Sequence, residues 1–100
     1  MQITELEPNI DRAANLMSMM SAPHRLEILC ILSEGEQSVL KLADRLGVSQ
    51  PGISQHLKKL KDSDLVETRR DGQTIYYRLK GKAAAAILDV LHDLYCKRKG

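Results

Sequence analysis

The chain has no apolar run long enough to cross a bilayer, no low-complexity tract and no basic, apolar leader, since it opens Met1-Gln2-Ile3-Thr4-Glu5. These absences exclude a membrane helix and predict a chain that stays in the cytoplasm, where thiols are kept mostly reduced. Only two cysteines occur, Cys30 and Cys96, and their separation rules out a local chelate. No glycine-rich phosphate loop is present, and the three histidines, His24, His56 and His92, fall on three different predicted helices with no serine-histidine-acid order. An enzyme is therefore the function class with least support, and nothing calls for a cofactor.

What remains is one small domain's worth of sequence: 100 residues, of which 43% are hydrophobic, enough for a single core. The net charge of +2 hides an uneven distribution. Residues 1 to 36 carry two basic and six acidic side chains, and residues 37 to 100 carry thirteen basic and seven acidic. A polyanion would be drawn to the middle and C-terminal parts.

Apolar residues Ile10, Ala13, Ala14, Met17 and Met20 recur at helical spacing and predict a first helix ending near Ser21-Ala22-Pro23. Pro23 suits the first turn of a second helix, to about Ser33, whose run Leu26, Ile28, Leu29, Cys30, Ile31, Leu32 is apolar nearly all round. That helix belongs in the middle of the fold. Ser38 begins a third helix with Val39, Leu42, Ala43 and Leu46, closed by Gly47.

After the connection Gly47-Val48-Ser49, a capping serine opens a fourth helix running to Leu60. Ile53, Leu57 and Leu60 form its inner stripe, while Ser54, Gln55, Lys58 and Lys59 point away. Amides and hydroxyls at the start of such a helix can read base edges in a major groove, and lysines further along can meet phosphates. A solvated surface face is the plainer alternative, but the preceding helix and tight glycine-containing turn make the pair a helix-turn-helix.

Beyond Asp62-Ser63-Asp64 the period becomes alternating. Leu65 to Arg70 and Gln73 to Leu79 read as two strands around Asp71-Gly72, a two-residue hairpin signal. With that loop Val66 would face Tyr77 and Thr68 would face Ile75, and Arg69, Arg70 and Gln73 would sit at the tip of a wing reaching DNA backbone or minor groove. A closing helix from Lys82 to about Lys97 carries Ile87, Leu88, Leu91, Leu94 and Tyr95. One compact core hardly needs apolar stripes on both terminal helices, about 4–20 and 82–97, so these are expected to pack against a second copy of the chain. A two-fold dimer presents two reading helices, which predicts a palindromic site with half-sites about 10 bp apart.

The whole order is mainly helical with a small hairpin, four helices, two strands and a helix. With Pro23-His24-Arg25-Leu26-Glu27-Ile28-Leu29, Ser49 to Leu60, Asp64-Leu65-Val66 and Tyr76-Tyr77-Arg78-Leu79, it resembles the ArsR family of bacterial winged-helix repressors. The likeness spans almost the entire chain. It implies a homodimer that sits on operator DNA until an inducer changes its shape. The family's base-reading positions fall on Gln50, Ser54, Gln55 and Lys58, beside the capping Ser49, while His56 takes a half-buried packing place.

Many members of that family sense metals, but the ligands are sparse here. The third helix has no cysteine pair, and the closing helix offers only Asp89, His92 and Asp93, so no metal site is assigned. One cysteine in the second helix and one near the C-terminus resembles the family's thiol-sensing branch, the BigR, SqrR and HlyU type, which responds to persulfides and related oxidants. That resemblance implies that Cys30 and Cys96 become linked by a disulfide or polysulfide, lowering operator affinity. Of the two, Cys30 can equally be a small core hydrophobe, whereas Cys96 precedes Lys97-Arg98-Lys99, whose cations favour thiolate and make it the candidate for first attack. A metal-responsive repressor using closing-helix ligands and a winged-helix module for protein association stay open as alternatives.

Overall fold

The computed structural model describes residues 1–96. Its elements follow in the order α1 (Ile3–Leu6), a 3-10 turn (Glu7–Asn9), α2 (Ile10–Met20), α3 (Pro23–Glu34), β1 (Gln37–Ser38), α4 (Val39–Leu46), α5 (Gln50–Asp62), β2 (Val66–Asp71), β3 (Thr74–Leu79) and α6 (Ala83–Tyr95). The helical region expected from about residue 4 to 20 is real but interrupted. Pro8 has no N–H to donate and sits in the first turn of the 3-10 segment, so the chain re-enters a regular helix only at Ile10.

The core is built on α3. Ile28, Leu29, Ile31 and Leu32 are buried, and Met20, Leu42, Ile53, Leu57, Leu60, Leu65, Val66 and Ala84 close around them. The middle position expected for this helix is confirmed, although its His24, Glu27, Cys30 and Ser33 edge faces outward. Arg25 ties α3 to the end of α2: its Nε donates to the Met19 carbonyl at 2.9 Å and its Nη2 to the Ser18 carbonyl at 3.3 Å. Both carbonyls lie in the last turn of α2, where a helix runs out of its own amide donors four residues on.

Between α4 and α5 the turn depends on Gly47, which adopts φ 66°, a left-handed conformation that a side chain would oppose. The Val48 amide then donates to the Ala43 carbonyl at 3.2 Å. This closes α4 and swings the chain into α5 within three residues, as the helix-turn-helix reading requires.

The wing differs from expectation in two ways. Its register is Val66 with Leu79, Thr68 with Tyr77, Arg70 with Ile75 and Asp71 with Thr74, so the two loop residues are Gly72 and Gln73 rather than Asp71 and Gly72. An Asp-Gly loop of the expected kind needs positive φ at both positions; Gly72 has φ 65° but Asp71 does not, and glycine instead takes the first loop position. The slip amounts to two residues, so the side-chain alternation survives and Val66, Thr68, Tyr77 and Leu79 still share the inner face. The sheet also has a third strand, β1, whose Gln37 and Ser38 pair antiparallel with Tyr77 and Tyr76, giving the order β1-β3-β2. Ser38 serves twice, as strand residue and as the cap of α4, its Oγ accepting from the Lys41 amide at 3.3 Å.

α6 ends at Tyr95 with Cys96 as its cap; the expected end at Lys97 lies outside the described residues. Among the described residues no helix is long and apolar enough to cross a membrane.

Leu57 is fully buried on the inner stripe of α5, whereas Leu40 on α4 is 64% exposed. Leu57→Ala is expected to lower the unfolding free energy by about 2–5 kcal/mol. Leu40→Ala should stay within about 0.5 kcal/mol. Denaturant melts of the two variants check this partition, and equal losses would contradict it.

Candidate nucleic-acid interface and thiol groove

α5 is capped as its sequence suggests: the Ser49 Oγ accepts from the Gly52 amide at 3.2 Å, and Pro51 lies in the first turn. Ile53, Leu57 and Leu60 are fully buried against the neighbouring elements. Since these three lie on one stripe, the opposite side of the helix is fixed outward, and Ser49, Gln50, Ser54, Gln55, Lys58 and Lys59 are all exposed. Lys58 pairs with Asp62 at 3.0 Å, but both side chains are mostly in water, so the pair is weak and a phosphate can replace the carboxylate.

His56 sits half-buried at the edge of this surface, its ring centroid 5.8 Å from that of His24. Burial first, then the charges of Arg25, His24 and Lys59, hold its imidazole below the usual range. It is therefore neutral at pH 7 and adds no charge to the exposed face. His24 Nδ1 in turn meets Glu27 Oε1 at 2.9 Å. The packing place expected for His56 is the one it occupies.

The wing divides its three expected contact residues. Arg70 and Gln73 lie exposed at or beside the tip, and among the described residues Arg70 has no ion pair. Arg69 is placed differently. It lies opposite Tyr76 with its guanidinium 4.7 Å from the ring centroid, and its Nε donates to Glu36 Oε1 at 2.8 Å while Nη2 donates to the same oxygen. Glu36 was not legible as a partner, because 33 residues separate the two in sequence and only the third strand brings them together.

The cysteines converge. Cys30 on α3 and Cys96 at the cap of α6 line one groove of about 570 Å³, together with Leu26, Leu88, Asp89, His92 and Tyr95. Both are free and exposed, so the reading of Cys30 as a core hydrophobe is corrected: it falls on the outward edge of α3 while Leu29 and Ile31 on either side take the core positions. Burial in the groove pushes the Cys30 thiol up, and the nearby Cys96, Glu34 and Glu27 add to that shift. The protonated thiol is thus the resting form of Cys30 at neutral pH. The cations expected to act on Cys96, Lys97 to Lys99, lie outside the described residues. Asp89, His92 and Asp93 share α6, but among the described residues no group of three or more ligands could hold a metal ion.

A three-helix core with a helix-turn-helix, an outward polar helix face and a three-stranded wing is the architecture of a winged helix-turn-helix regulator of transcription. Residues 22–68 match the family model described as bacterial regulatory protein, arsR family. The chain is 41% identical over 97 residues to the transcriptional activator HlyU of Vibrio cholerae, covering 97% of this chain and 90% of HlyU. The structure of the transcriptional repressor BigR from Xylella fastidiosa superposes with a TM-score of 0.89 at 39% identity, covering 98% of this chain and all of BigR's, 100%. A homodimeric winged helix-turn-helix DNA-binding domain from Mycobacterium bovis superposes with a TM-score of 0.77 at 30% identity, covering 94% of this chain and 92% of that one. The chain belongs to the arsR family of bacterial regulatory proteins, and it is a transcriptional regulator, not an enzyme.

Iodoacetamide labelling read by mass should show Cys30 alkylating with a pH midpoint above the ordinary thiol range. Removing a neighbouring negative charge in Glu34→Gln should bring that midpoint down and speed labelling at fixed alkaline pH. Unchanged rates in the variant would contradict the electrostatic account.

Proposed function

We propose that the chain is a homodimeric repressor that reads a palindromic operator and releases it when Cys30 and Cys96 become covalently linked. Ser49, Gln50, Ser54 and Gln55 meet base edges and nearby backbone, Lys58 and Lys59 meet phosphates, and Arg70 and Gln73 extend the contact from the wing, where Arg69 also lies. The single observation that carries the switch is that the two thiols, one on α3 and one at the end of α6, open on one groove.

The dimer reading rests on apolar surface without an intramolecular partner. Ile3, Met17, Val90, Leu94 and Tyr95 are all more than half exposed and are carried by the terminal helical segments α1, α2 and α6. Apolar exposure gathered on such segments is characteristic of a surface covered by another chain, and the Mycobacterium bovis relative is homodimeric. α6 would then serve the groove and the dimer interface together. Linking Cys30 to Cys96 would pull on the interface and change the separation of the two α5 helices.

The chemistry needs a sulfane-sulfur donor or other thiol oxidant. The Cys96 thiolate attacks the outer sulfur of a persulfide RS–SH and expels RS⁻, leaving Cys96–S–SH. Cys30 then gives its proton to solvent, and its thiolate attacks the inner sulfur, forms the disulfide and expels HS⁻; further sulfane transfer before closure gives a longer polysulfide link.

The test is titration of an operator duplex, mapped by genomic footprinting, with wild type, Cys30→Ser and Cys96→Ser before and after exposure to inorganic polysulfide. Wild type should lose about 5–150-fold in affinity, the range of ordinary allosteric couplings. Its mass should change by loss of two hydrogens or gain of sulfur with them. Both serine variants should keep their affinity, and a response equal to wild type in both would overturn the thiol switch.

A further inference from the structure

The outer face of the sheet is a brace. β3 is the central strand, so Tyr76 has Arg69 on one side and Ser38 on the other. Arg69 spans that row: it starts on β2, crosses the Tyr76 ring and reaches Glu36, two residues before Ser38. Beside it on the same face Arg78 Nε donates to Glu67 at 2.9 Å, closing β2 to β3 a second time. β1 runs directly into α4, the helix next to α5 in the helix-turn-helix. A contact from β2 to Glu36 therefore ties the wing to the entrance of the reading unit.

We propose that Arg69 is a positioning residue that sets the angle of the wing against α5 by clamping Glu36 across Tyr76, and that Arg70 is the wing arginine that meets DNA phosphate. The inference rests on the DNA-binding reading above for its functional consequence, but the clamp is a property of the free protein. A guanidinium already neutralised by a carboxylate displaces no counterion from DNA unless the carboxylate lets go. The two adjacent arginines alternate across the pleat, so Arg70 leaves the sheet on the opposite face, away from Glu36. The shifts agree with the geometry: the hydrogen bond from Arg69 holds the Glu36 carboxyl below its usual range, and the same bond moves Arg69 up.

The experiment has two readouts. In the first, affinity for a mixed-sequence duplex is measured across a salt series for wild type, Glu36→Gln, Arg69→Gln, Arg70→Gln and the Glu36→Gln/Arg69→Gln double variant. Arg70→Gln should reduce the slope of log K against log salt by about 0.9 per protomer, or about 1.8 for a bound dimer that loses both arginines. Arg69→Gln and Glu36→Gln should each weaken binding several-fold with the slope unchanged, and the double variant should be no weaker than either single one. A slope reduced by Arg69→Gln, or tighter binding by Glu36→Gln, would overturn the proposal, since either makes Arg69 a phosphate ligand.

The second readout is amide hydrogen exchange in the free protein. Both single substitutions should speed exchange at β1 and β2 by similar factors while α5 stays protected. Unchanged exchange would overturn the clamp whatever the DNA does. A wild-type chain that fails to bind duplex while exchange responds as expected would instead remove the DNA-binding reading and leave the clamp standing.

Discussion

Burial of one side of α5 is the constraint on which the rest depends. Ile53, Leu57 and Leu60 are withdrawn completely from water, each worth about 1.5–3 kcal/mol relative to exposure. No comparable apolar group exists on the opposite side, so the helix has one way to sit. Its polar face is thereby displayed without any interaction being spent to hold it outward. The Ser49 cap and the left-handed Gly47 fix where the helix begins, and α3 supplies the apolar surface it rests on.

α6 connects the two halves of the functional reading. Its Ala84, Ile87 and Leu88 side packs on the core, Cys96 at its end opens on the groove shared with Cys30, and Val90 and Leu94 remain exposed. Three demands on one helix leave little slack. In the proposed dimer, a bond formed at the Cys96 end has to be accommodated by the same element that holds the two copies together. In the proposed switch the raised Cys30 thiol would be the resolving partner, slow to react by itself and engaged once an activated sulfur stands beside it.

Much of this was legible in the sequence because long periodic elements announce themselves. The stripes of α2, α3, α5 and α6, the glycine after α4 and the capping Ser49 each carry a local signal, and each marks the element found. What was not legible is non-local or too short. β1 has two residues, so no alternation exists to detect, and without it Glu36 has no reason to meet Arg69. The observed hairpin register differs by two from the one an Asp71-Gly72 loop implies, because the requirement for positive φ selects Gly72 and leaves Asp71 in the ladder. Cys30 was hidden by its neighbours: in a helix whose composition is apolar nearly all round, the exposed edge is set by tertiary packing that no local pattern reports.

The most direct test of the central claim, that α5 is displayed in pairs to read DNA, is selection of bound duplexes from a random-sequence library by the full chain. The account predicts enrichment of an inverted repeat whose half-site centres lie about 10 bp apart. That enrichment should be lost in a Gln50→Ala/Gln55→Ala variant that melts like wild type. Recovery of a single unrepeated element, or no enrichment over the starting library, would contradict it.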